Sequence, residues 1–185
     1  AWLFFDGRLS LLDFANKNST LKLVQKKIPN KNISNKNSKI LVVREQGIGD
    51  ELLYGTMYYD LLNEFSNLTI ECDERLIPLF KNSFNSHKDK FVKLGTQSLN
   101  TNKINDFDYI IYAGSLGRYF RNDLKSFAQK PYIKSIENYK DLELDNILKK
   151  NHGLKIGISW KSFKNRYSSE KSLSLEDFEN VVNIN

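Results

Sequence analysis

Four short apolar runs, each separated from the next by a stretch with helical or turn-rich patterning, constrain this chain more than any other feature. They are "KILVV" (39–43), "LTIEC" (68–72), "KFVKL" (90–94) and "FDYIIYAG" (107–114). The first is continuous, apolar and β-branched, the mark of a strand buried on both faces of a parallel sheet. Between the first two runs, Leu53, Met57, Leu61 and Phe65 recur at i, i+4, i+8 and i+12, with Tyr58 and Leu62 widening the stripe. That spacing predicts a helix of about four turns. "DERLIPLFKNSF" (73–84) predicts a helix with Asp73 as its N-cap and Leu76, Ile77 and Phe80 facing inward. After the fourth run, Leu116, Phe120, Leu124 and Phe127 return at helical spacing. Strands alternating with helices across 39–150 predict an α/β fold: a Rossmann-like parallel sheet with helices on both faces.

The flanks read differently. Residues 1–16 place Trp2, Phe5, Leu9 and Leu12 on one face of an amphipathic helix. Residues 17–38 are polar and basic: Lys17, Lys22, Lys26, Lys27, Lys31, Lys36 and Lys39 occur with no acid from Asn16 to Arg44. They supply much of the net charge of +6. The run is interleaved with Asn and Ser and lacks stacking aromatics, so it predicts a solvated linker rather than a nucleic-acid platform. Past the fourth strand, "PYIKS" (131–135) is short and extended, and 137–150 is helical, with Gly153 placed to take the left-handed conformation after it. "LKIGISW" (154–160) predicts a further strand. Residues 172–182 predict a last helix, with Ser174 and Asp177 as a capping-box-like start and Leu175, Phe178 and Val182 inward.

Several function classes fall away. One cysteine, Cys72, cannot form an internal disulfide, and its place in a strand predicts a buried, inert thiol. No apolar run approaches the ~20 residues of a membrane span, and there is no signal peptide. A cytoplasmic location is expected. His87 and His152 lie far apart and do not form a metal pair. "EQGIGD" is neither a dinucleotide fingerprint nor a P-loop, because G-x-G-x-x-G and Gly-Lys-Ser/Thr are both missing.

Two small-residue loops remain, "EQGIGD" after the first strand and "AGSLG" after the fourth. Open parallel sheets bind ligands beyond the carboxyl ends of their strands. Gly47 and Gly49 permit positive φ and leave room for a ligand against the backbone. Asp50 and Glu51 open the following helix and would repel an anion held directly there. Asp50 is therefore either a helix-start residue or a base aimed at a neutral hydroxyl.

The segment "ILVVREQGIGDELLYGTMYYDLL" (40–62) resembles the start of the glycosyltransferase-like domain that follows tetratricopeptide repeats in many bacterial proteins. That domain is similar to the lipopolysaccharide heptosyltransferases and, more remotely, to O-linked N-acetylglucosamine transferases. "FDYIIYAGSLGRYF" (107–120) resembles the family's strand and Ser-Leu turn, "KPYIKS" (130–135) its segment leading to the interdomain linker, and "LKIGISWKSFKNRYSSEKSLSLEDF" (154–178) the opening of its second domain. "AWLFFDGRL" (1–9) resembles the closing helix of a repeat. The resemblance implies a GT-B fold, two facing Rossmann-like domains with the active site between them. The chain would then comprise a terminal repeat helix (1–16), a basic linker (17–38), the N-terminal acceptor domain (39–150) and the start of a truncated C-terminal nucleotide-sugar domain (151–185). By that reading it is a fragment, inactive alone.

The resemblance also implies roles. Asp50 matches the acid proposed to deprotonate the acceptor hydroxyl. Gly47, Gly49 and Ser115 would line the ligand edge. Ser159, Lys161 and Lys171 would hold the nucleotide phosphates, with Lys171 the best match. The implied partners are a nucleotide sugar and an acceptor glycan, lipid or protein, with no metal and no further cofactor. The competing expectation is a non-catalytic Rossmann-like module attached to a repeat scaffold.

Overall fold

A computed structural model describes residues 2–9, 27–29, 32–95, 104–127, 130–136, 141–150, 152–161, 172–174 and 176–179. The chain divides into two compact units, Ala1–Glu137 and Asn138–Asn185.

The first unit is built on four strands: β1 (Ile40–Val43), β2 (Leu68–Glu71), β3 (Phe91–Val92) and β4 (Tyr109–Tyr112). All pair in parallel, in the order β3-β2-β1-β4. The sheet is Rossmann-like and flanked by helices. β1 is central and all four of its residues are buried. Its pleat divides them between two cores. Ile40 and Val42 join Ile70, Ile111, Tyr58, Leu61 and Phe80 on one face. Leu41 and Val43 join Ile104, Ile110 and Tyr112 on the other.

The connections β1→β2 and β2→β3 step in the same direction and carry α2 (Ile48–Gly55), α3 (Tyr58–Glu64) and α4 (Ile77–Ser83). Crossovers of one hand that step the same way lay their helices on one face, and buried residues of all three share one core cluster. The third connection reverses direction, bringing β4 to the far side of β1. The switch point of the fold therefore lies between β1 and β4.

The single four-turn helix expected after β1 is two helices. Thr56 and Met57 interrupt it, and the inward stripe changes phase there. Tyr54 is buried, whereas Leu53 is 62% exposed. Met57, Leu61 and Phe65 are buried as expected. Buried Arg121 donates from Nη2 to the Thr56 carbonyl at 2.7 Å, satisfying an acceptor that the break frees.

Asp73 also differs from expectation. It accepts the Arg75 N–H on Oδ1 at 3.1 Å and caps the turn that precedes α4 rather than α4 itself. Pro78 explains the delay: only the first turn tolerates proline, so the helix cannot begin four residues before it. The helix expected to run from Leu116 to Phe127 stops sooner. A 3₁₀ turn, Ala113–Leu116, leads into α5 (Gly117–Phe120), and Arg121 leaves helical geometry. Asp123 then captures the Ser126 N–H at 2.9 Å, a local bond that competes with helix continuation. Leu124 consequently stands 87% exposed and Phe127 44% exposed.

"PYIKS" is extended and has no ladder partner among the described residues. It is fixed by Tyr132, whose hydroxyl donates to the Leu52 carbonyl at 2.6 Å, and by the Lys134 N–H on Ser83 Oγ at 3.0 Å. Upstream, Trp2–Phe5 form α1 and Asp6–Arg8 a 3₁₀ turn. Leu12 and most of the basic linker lie outside the described residues. Lys36 and Lys39 are exposed, as a solvated run requires. Lys27 departs from that reading: its ammonium donates to the Asn105 and Phe107 carbonyls, and its own carbonyl accepts from Ile110.

Tyr58 sits fully buried among Phe80, Phe84 and Phe91, and its hydroxyl has no hydrogen-bond partner among the described residues. Tyr58→Phe is expected to stabilise the chain by about 1 kcal/mol, because it removes a desolvated hydroxyl without opening a cavity. The check is urea denaturation, with a higher midpoint and an unchanged slope.

In the second unit, α6 (Leu142–Lys150) starts at Asp141, whose Oδ1 accepts the Leu144 N–H at 3.0 Å. Gly153 does not take positive φ. Residues 154–160 form no strand, contrary to expectation. A strand is defined by its ladder, and the described residues of this unit supply no neighbouring strand. Ser174 and Asp177 do meet as expected, the Ser174 N–H donating to Asp177 Oδ2 at 2.7 Å. Only Glu176–Phe178, as a 3₁₀ turn, and Glu179 represent the last helix; Leu175 and Val182 lie outside the described residues.

Candidate functional site

Val43 and Tyr112 are register partners at the carboxyl ends of β1 and β4. The two small-residue loops leave the sheet side by side from there, and α2 packs against the 113–116 turn. The predicted residues Gly47, Gly49, Asp50 and Ser115 thus share the switch-point edge.

The loop reverses through Gln46, which takes φ 62°. Gln46 Oε1 accepts the Tyr54 hydroxyl at 2.7 Å. The glycines do not supply the turn, contrary to expectation: Gly47 is extended at φ −105°, and Gly49 is inside α2. A Cβ at Gly49 would meet nothing within 4 Å, so that side of the loop is open. Gly47 is the N-cap of α2. Its N–H donates to Asp50 Oδ2 at 2.9 Å, half of a capping box. A carboxylate has acceptor sites on both oxygens, so this bond leaves capacity on Asp50. Burial, followed by the Glu45 and Asp50 carboxylates, holds the Tyr54 phenol above its ordinary pKa.

Glu45 was not singled out by the sequence, yet it is the hub of the edge. Its side chain is 5% exposed. Oε1 accepts the Gly114 N–H at 2.6 Å and Arg8 Nη2 at 2.5 Å, and Oε2 accepts Arg8 Nε at 2.8 Å. Arg8 Nη2 also reaches Ser115 Oγ at 3.1 Å. Ser115 in turn donates to Asp6 Oδ1 at 2.7 Å, and Arg118 pairs with Asp6 Oδ2 at 2.9 Å. Gly114 leaves room for this pairing: a Cβ would fall 2.7 Å from both Arg8 Nη2 and Glu45 Oε1, and the two side-chain ends would have to shift.

A second charged cluster borders the first, at the carboxyl ends of β1 and β2. Arg44 lies 2.9 Å from Glu51 Oε1 through Nε and 3.1 Å from Asp73 Oδ2 through Nη2. Glu51 is 1% exposed and accepts the Asp73 N–H on Oε2 at 2.9 Å. Burial raises the Glu51 carboxyl above its ordinary value, and the Asp73 N–H and Arg44 only partly offset this. Asp73 moves the other way, held well below the carboxylate range first by its bonds from Arg75. Buried Cys72 has its thiol pushed far up, mainly by desolvation, and is inert as expected.

These two carboxyls act oppositely on stability. A raised folded-state pKa means the native chain binds the Glu51 proton more tightly than the unfolded one. That contribution is complete below the unfolded value and is lost as pH rises through the folded one. The Asp73 contribution is present above its unfolded value and is lost as pH falls below it. Glu51→Gln is therefore expected to flatten the loss of stability as pH rises above 4.5, while leaving the acid limb below pH 3.8 unchanged. Urea midpoints across that range test it.

Ser159 and Lys161 are exposed on the second unit, and Lys171 lies outside the described residues. The described residues contain no group of metal-ligating side chains. No described helix is long and apolar enough to cross a membrane. No protein-family model matches this chain, and the searches of curated proteins and of solved structures return no significant match.

Proposed function

We propose that this chain carries the acceptor-side domain of a metal-independent, GT-B-like glycosyltransferase, with Asp50 as the general base. The observation that carries the reading is the position of Asp50. It stands in the first turn of the helix that leaves the switch-point strand, half-buried, with one oxygen engaged at Gly47 and open space beside Gly49. The base role itself comes from the resemblance of residues 40–62 to the heptosyltransferase pattern, in which an acid follows the glycine loop.

In the reaction, Asp50 takes the proton of an acceptor hydroxyl as that oxygen bonds to the anomeric carbon of a nucleotide sugar. The bond from that carbon to the phosphate oxygen breaks, and its electron pair leaves with the nucleotide. Ser159, Lys161 and Lys171 are the groups proposed to meet the departing phosphates. Calorimetric titration with UDP-, GDP- and ADP-sugars tests the reading, using this chain and any longer reading frame that contains it. Binding by the longer form, with transfer to a sugar acceptor, is expected.

A second reading, a non-catalytic Rossmann-like binding module, draws on one observation: at the carboxyl ends of β1 and β4, Glu45 and Ser115 are engaged from within the chain by Arg8. Failure of both forms to bind any nucleotide sugar would favour it.

A further inference from the structure

Residues 2–9 lie where an open α/β sheet takes its ligand, against the carboxyl ends of β1 and β4. Arg8 is the centre of that contact. A guanidinium carries five N–H donors and no acceptor. Arg8 directs Nε and Nη2 at the two oxygens of Glu45, Nη2 also at Ser115 Oγ, and Nη1 at the Phe5 carbonyl and Asp6 Oδ1. Its Cζ also lies 4.2 Å from the centroid of the Phe5 ring, over its face. Both arms and Nε are committed within the chain, so Arg8 is not poised to receive a substrate anion.

Glu45 has the complementary constraint. Its buried carboxylate accepts from the Arg8 pair and from the Gly114 N–H. Lifting Arg8 away leaves a desolvated charge that only another set of paired donors can satisfy. Trp2 rests on Gly117 and Phe5 on Gly114. Leu9, at the end of the segment, packs against the core cluster that holds Leu41, Val43 and Tyr112. The segment is thus anchored at its end by Leu9 and held on the ligand edge by the polar latch around Arg8.

We infer that residues 2–9 are a plug in the switch-point crevice, and that Glu45, Gly114 and Ser115 form behind it a receptor for a guanidinium group, which Arg8 occupies in cis. The plug and its receptor require nothing of the transferase chemistry. Their test uses no activity.

Arg8→Ala is expected to lower the thermal midpoint, and about 10 mM methylguanidinium to raise it again by about 2 °C through binding to the native state alone. The same salt is expected to leave the wild type and the Arg8→Ala, Glu45→Gln double variant without that gain. No rescue, or equal rescue in the double variant, overturns the receptor. Hydrogen exchange on the wild type tests the plug without any substitution. Amides of residues 2–9 and of Gly114 are expected to exchange together, at least tenfold faster than those of β1. Exchange of residues 2–9 only at the rate of β1 overturns the plug.

Discussion

Asp50→Asn is expected, on the proposed transferase reading, to slow glycosyl transfer by about 10²–10⁴-fold, the range lost with one positioned base. Asparagine isolates the proton-transfer role. Its side-chain oxygen still accepts the Gly47 N–H that Asp50 Oδ2 accepts at 2.9 Å, so α2 keeps its start. Donor affinity is expected to be unchanged and the thermal midpoint to move by less than about 2 °C. Asp50→Ala removes the bond as well and is expected to cost a further ~0.5–1 kcal/mol of stability. The measurement is initial rate against donor concentration for each variant, beside its melting curve. Transfer by Asp50→Asn at the wild-type rate would make Asp50 a helix cap only and remove the mechanism's base.

Phe80→Ala is expected to destabilise the first unit by about 3–5 kcal/mol. Phe80 is fully buried, and its ring centroid lies 5.7 Å from that of Tyr58, 6.3 Å from Phe84 and 5.6 Å from Phe91. These rings join α3 and α4 to β3 and the turn after α4, so truncation opens a cavity that no single element can close. Against a typical domain stability of about 5–15 kcal/mol, the loss is a large fraction. Phe80→Leu nearly conserves volume and is expected to cost less, about 1–2 kcal/mol. Leu124→Ala, at an 87% exposed position, is expected to stay within about 0.5 kcal/mol. Urea denaturation of the three variants gives the order. Equal effects at Phe80 and Leu124 would mean that α4 does not close over this core.

The strands were legible because their pattern is local. "ILVV" is apolar at every position, and β1 is buried on both faces. Met57, Leu61 and Phe65 face the core because their spacing lies within, or close to, one continuous helix. Leu53 does not, because the helix breaks at Thr56, and the group that accommodates the break is Arg121, distant in sequence. Leu124 and Phe127 failed for a similar reason: their spacing is helical, but the Asp123–Ser126 bond ends the helix before they turn inward. At the candidate site, Asp50 and the glycine loop stood out because a strand, a small-residue turn and an acid occur in succession. Glu45 did not, since one acid in a loop has no periodic signature.

Sequence alone determined the four strands of the first unit and the burial of β1 on both faces, because these follow from spacing over a few residues. Tertiary structure decided what occupies the ligand edge. Arg8 meets Glu45 across 37 residues and Ser115 across 107. Neither pairing is encoded by propensity or period. It arises when the parallel sheet brings β1 and β4 side by side, and the desolvated carboxylate at their ends draws in the nearest paired donor.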